Sequence, residues 1–73
     1  MEVEYGAKVE DQNGNVLGTV DHLARNTLTG EITKFVVRRQ APEKDLFVSS
    51  EDVSEVKENK VKLNVSLGEL EQR

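Results

Sequence analysis

Cysteine and tryptophan are absent from this chain, proline occurs once, and the aromatics are one tyrosine and two phenylalanines. Each shortage excludes something. Without cysteine there is neither a disulfide framework nor a thiolate metal site. A small secreted domain ordinarily needs such staples, so the expected compartment is a reducing cytoplasm. Long apolar runs are missing too. Phe35-Val36-Val37 is as long as an uninterrupted run gets, far short of the roughly 20 residues a spanning helix requires. The acidic head Met1-Glu-Val-Glu-Tyr5 has no apolar stretch, and no signal peptide is expected from it. Nor is there an excess of basic residues. The formal net charge is −4, which counts against nonspecific nucleic-acid binding and against an anionic lipid surface.

What remains is an aliphatic chain of 73 residues with eleven Val, seven Leu and one Ile. Its length gives one domain, residues 1–73, with no linker, repeat or low-complexity tract. The Val excess favours strands, because a branched Cβ suits the pleated surface and loses rotamer freedom in a helix. A chain this small buries only about 60% of the surface its unfolded form exposes. Association is a usual remedy for so small a core, and a homodimer is expected.

Turn residues divide the chain into strands. Lys8 to Glu10 reads as the first, and Asn13-Gly14 as a type I′ hairpin turn. A second strand runs from Val16 to Arg25, with Leu17, Val20 and Leu23 spaced by three. A bulge near Gly18 reconciles that spacing with a strand. After the turn Asn26–Gly30 comes Ile32 to Arg39, read with Phe35 and Val37 on one face and Ile32 and Val36 on the other. Asp45 to Ser49 is the fourth strand, Ser50 to Asp52 a short turn, Val53 and Val56 lead to the turn Glu58-Asn59, and Val61, Leu63 and Val65 alternate as the last strand. Ser66-Leu-Gly-Glu69 fits a capping box, and the helical turn after it places Leu67 and Leu70 on its inner face. The fold class predicted is mostly β: a small barrel of about six strands with a short C-terminal helical turn.

Candidate sites are few. Asp11, Asn13 and Asn15 alternate as in a calcium loop, but the EF-hand pattern then requires Gly and Glu where the chain has Val16 and His22. His22 has no second histidine to complete a metal set, and Asp21 beside it is expected on the opposite strand face. Of the serines, Ser50 and Ser66 have capping and turn roles, and no nucleophile elbow surrounds any of them. No catalytic residue, cofactor or metal is assigned, and the chain is expected not to be an enzyme. One cluster invites a contact role: Lys34 and Arg38 share a strand face with Val36 between them, and Arg39 turns away. Lys34, Val36, Arg38 and Arg39 are therefore the candidate partner-contact residues, set against a plain solvated edge.

Taken in order, these segments resemble the PRC-barrel family. The matching pieces are Gly6-Ala-Lys-Val9, Asp11-Gln-Asn-Gly14-Asn-Val-Leu-Gly18-Thr-Val20, Thr29-Gly30-Glu31-Ile32 with Phe35-Val36-Val37, Leu46-Phe-Val-Ser-Ser-Glu-Asp-Val53, and Val61 to Leu70. A departure is Val48-Ser49, where many members carry Ile-Pro. The resemblance implies a small prokaryotic β-barrel acting as a protein-binding or assembly module. Its alternative is an RNA- or ribosome-associated module like the barrel of ribosome-maturation factors, though the acidic balance makes nucleic acid the lesser expectation.

Overall fold

A computed structural model describes residues 3–73; Met1 and Glu2, which open the acidic head, lie outside the described residues. Six strands form one sheet: β1 (Lys8–Glu10), β2 (Val16–Arg25), β3 (Ile32–Arg38), β4 (Leu46–Ser49), β5 (Val53–Lys57) and β6 (Lys60–Leu63). Their spatial order is β4-β3-β2-β1-β6-β5, with β1 and β6 parallel and every other pair antiparallel. The sheet curls into a half-barrel whose two edges, β4 and β5, are joined by a single 3₁₀ turn, Ser50–Asp52. A five-residue helix, α1 (Leu67–Glu71), follows β6 and packs against β4. The expected mostly-β, six-stranded architecture with its C-terminal helical turn is thus present.

Four irregularities bend the strands and decide which side chains face inward. Val9 pairs with Gly18 but Glu10 with Val16, leaving Leu17 as an extra residue. Asp21 is extra on β2, between the pairs Val20–Val37 and His22–Val36, and Thr33 is extra on β3, between Lys34–Ala24 and Ile32–Arg25. Ser54 plays the same part on β5. An extra residue advances the alternation by one, which is why Leu17, Val20 and Leu23, spaced by three, all turn inward. The bulge at Leu17 meets the expectation of one near Gly18. Thr33 corrects the reading of β3. Ile32 joins Phe35 and Val37 in the core, and Val36 alone of the expected pair faces outward.

Val9, Val37, Val48, Val61 and Leu63 form the centre of the core, each no more than 1% exposed. Leu70 of α1 closes one end at 3% exposure, with Leu67 beside it only partly buried. The Ser66 hydroxyl accepts the Glu69 N–H at 3.3 Å, starting the helix as a capping residue should.

Two turns differ from the sequence reading. Gln12-Asn13-Gly14 is a three-residue loop in which only Gly14 has positive φ (85°), and the Gly14 N–H donates to the Asp11 carbonyl at 3.1 Å. That is a type I turn followed by a left-handed glycine rather than a type I′ turn. The two-residue hairpin is instead Glu58-Asn59, between Lys57 and Lys60. Both of its residues are left-handed, with φ of 46° and 66°.

Candidate functional site

Register sets up the outer face of β2, β3 and β4. His22 lies opposite Val36, and Val36 opposite Phe47, so one row crosses three strands. In the next row Ala24 faces Lys34 and Lys34 faces Ser49. Together these residues line an open groove of about 350 Å³, with Arg73 reaching its rim from beyond α1. Phe47 is 69% exposed on edge strand β4, because Leu46 and Val48 on either side of it point into the core.

The charged residues that line the groove, Lys34 and Arg73, are basic. Lys34 makes no ion pair among the described residues. Arg38 lies one row further along and faces Asp21 at 3.7 Å. The extra residue in β2 brings Asp21 to the same outer face as His22, which corrects the expectation that the two oppose each other. Arg39 does not belong to the face. Its side chain is largely buried between Glu43 at 3.2 Å and Glu71 at 3.4 Å, tying the end of β3 to the following loop and to α1. Of the residues expected to touch a partner, Lys34 and Val36 line the groove, Arg38 flanks it, and Arg39 braces the fold.

Arg73 is held over the groove by Asp52. Its guanidinium donates to the two carboxylate oxygens at 2.6 and 3.0 Å, a bidentate geometry that fixes orientation as well as distance. One of those oxygens also accepts the Ser49 N–H at 3.0 Å and the Ser49 hydroxyl at 3.1 Å. Capping of the 3₁₀ turn therefore falls to Ser49, one residue before the serine expected. The Arg73 hydrogen bonds hold the Asp52 carboxyl at about 2, below its ordinary 3.8, against the opposing effect of burial and with help from Ser49.

Asp11 is fully buried and equally engaged. It accepts the Asn13 and Asn15 N–H groups at 2.9 Å each, the Asn15 amide at 3.1 Å, and the Leu67 N–H at 3.1 Å. Burial pushes its pKa up, but the bonds from Asn15, Leu67 and Asn13 outweigh this and leave it below the ordinary carboxylate value. The alternating Asp11, Asn13 and Asn15 are thus the fastening of a loop, and one that also anchors the start of α1. Among the described residues no three His, Cys, Asp or Glu side chains gather as a metal set would require, and no helix is long and apolar enough to cross a membrane.

The fold and this face define a small open half-barrel with an exposed groove whose outward-facing apolar members are Ala24, Val36 and Phe47 and whose charged members are Lys34 and Arg73. The chain belongs to the DUF2171 family, described as an uncharacterized protein conserved in bacteria, whose model matches residues 3–71. No PRC-barrel model matches, which overturns the resemblance drawn from the sequence. Glycine and valine at turn-compatible spacing, the features that suggested it, are what any small curled sheet with these hairpins demands. No curated protein matches the chain.

The sequence reading missed Phe47, His22, Ala24, Ser49 and Arg73 as members of the face. Phe47 had a signal, since it alternates against Leu46 and Val48, but its place beside Val36 depends on the β3–β4 register.

Proposed function

We propose that this chain is a non-enzymatic, cytoplasmic protein-binding module whose contact surface is the outer face of β2, β3 and β4. The supporting observation is the row His22–Val36–Phe47, which crosses three strands to edge strand β4 and there places a large aromatic in solvent beside Val36. Aromatic side chains, phenylalanine included, are enriched at protein interfaces relative to the rest of the surface. The buried carboxylates Asp11 and Asp52 favour a non-catalytic reading, because backbone N–H groups, Ser49 and Arg73 occupy their oxygens. The partner is either a second copy, as the small core led us to expect, or a different protein. The RNA-associated alternative rested on the resemblance to maturation-factor barrels and is not carried forward.

The test is charge reversal at Lys34 and Arg38 in one variant. Both side chains are exposed and make no buried contact, so melting should move by less than about 0.5 kcal/mol. Capture of a discrete protein from a bacterial lysate by the parent, and its loss with the folded variant, is the expected result. Equal recovery by both would remove this face from consideration.

A further inference from the structure

We infer that the groove on the outer face docks an acidic, apolar segment of a different protein, with Phe47 packing against the segment's apolar side chains and Lys34 meeting its carboxylates. The inference rests on the protein-binding reading above and names the partner's chemistry. Its basis is a mismatch between this face and the rest of the molecule. The chain carries fourteen Asp and Glu against ten Lys and Arg, yet no carboxylate lines the groove, whose charged residues are Lys34 and Arg73. Asp21 and Asp52, which adjoin lining residues, are engaged by Arg38 and Arg73, while Glu43, Asp45 and Glu71 line a separate pocket that Phe47 and Arg73 also border. Lys34, in the row between Ala24 and Ser49, is left as a cation without an ion pair among the described residues, beside apolar surface. A partner carboxylate there would be attracted across a partly desolvated contact, where charge pairs are screened less than in open water.

The shape selects a peptide segment over a small molecule. Pockets for small ligands bury most of the ligand surface, whereas this groove lies open along a sheet face and is bounded on one side by the protruding Phe47. A second copy fits less well. Two-fold contact through the same face would set Lys34 against another groove whose charged lining residues are Lys34 and Arg73, with no carboxylate among the described lining residues to meet it.

The experiment uses the full chain and a displayed library of random peptides, with enriched sequences resynthesised and titrated against the parent, Phe47→Ser, Lys34→Glu and Leu28→Ser. Leu28 is 93% exposed at the β2–β3 turn, away from the groove, and serves as the control for loss of any exposed apolar side chain. The expected outcome is enrichment of peptides combining Asp or Glu with large apolar residues. Affinity should fall roughly tenfold or more with Phe47→Ser and with Lys34→Glu, and stay unchanged with Leu28→Ser. Enriched peptides that depend on Phe47 but are neutral or basic, and are indifferent to Lys34→Glu, would overturn the acidic chemistry while leaving the protein-binding face intact. Binding unaffected by either groove variant, or no enrichment at all, would overturn both. Sedimentation of the parent as a dimer that Phe47→Ser converts to monomer would assign the face to a second copy and likewise overturn the inference.

Discussion

Asp11 shows how much of this small structure one side chain can hold. Its carboxylate bonds three backbone N–H groups and one amide, linking the β1–β2 loop to the first residue of α1. Replacing it with alanine would strip four part-buried donors of their acceptor; water can reach some of them, and a donor left unpaired in the interior costs about 1–3 kcal/mol. We expect Asp11→Ala to lose about 2–3 kcal/mol in a urea titration, without gain from added calcium. Gly18 is constrained from the other direction. A Cβ there would run into the Arg38 backbone, whose carbonyl carbon would stand 3.0 Å away, and would press on Val37 at 3.2 Å. β2 bends at this point, next to the extra Leu17, and glycine is what allows β3 to pass so closely. Gly18→Ala should cost about 1–3 kcal/mol, as overpacking against an unyielding neighbour generally does, and a thermal melt will show it. A melt equal to the parent's would mean that the strands separate there without penalty.

At the scale of elements, the bulges turn an ordinary sheet into a half-barrel with a defined outer face. Without Asp21 as an extra residue, Val36 and His22 would not share a row, and without Thr33 Ile32 would leave the core. The β5–β6 hairpin offers a clean test of turn chemistry. Glu58 sits at φ 46°, a left-handed conformation that a Glu side chain adopts at a cost and Asn tolerates better. Glu58→Asn should therefore stabilise the protein by roughly 0.5–1 kcal/mol, raising Tm by about 4 °C. An unchanged or lowered Tm would show that the turn is not held in this form in solution. The sequence made this element legible as a turn but assigned the type I′ geometry to Asn13-Gly14. There the loop is drawn into a different shape by Asp11, whose bond to Leu67 spans 56 residues. No local rule of dipeptide preference contains that contact.

For the molecule as a whole, β4 and β5 are joined by the 3₁₀ turn, and the Arg73–Asp52 pair ties that turn to the end of the chain after α1. Acid is the natural probe of that tie. Asp52 is lowered from 3.8 to about 2, and Asp11 is lowered as well. A carboxyl with a depressed folded-state pKa stabilises the fold fully above its unfolded value and loses that contribution as pH falls through its folded value. Stability should therefore be level at neutral pH, decline as pH drops below about 4, and lose the Asp52 contribution by about 2. In Arg73→Gln the stability at neutral pH should be lower and the acid limb shallower, since the largest cause of the Asp52 shift is gone. Parallel limbs for parent and variant in denaturant titrations across this range would disconnect Arg73 from the 3₁₀ turn.

The sequence by itself determined the class of structure. Scarce aromatics, abundant Val and turn residues at short intervals leave strands as the only economical way to bury this chain, and the strand limits of β1 and β2 follow from local pattern alone. It also placed Lys34, Val36 and Arg38 on one face, because alternation survives over those residues. The tertiary structure decided the rest. Which residues are extra in a bulge, and hence which way Ile32 and Asp21 turn, depends on the partner strand's register. That Phe47 stands beside Val36, that Arg39 is a brace and Arg73 a rim cation, depends on contacts between segments distant in sequence. Periodicity reports a residue's side of its own strand; only the paired sheet reports its neighbours.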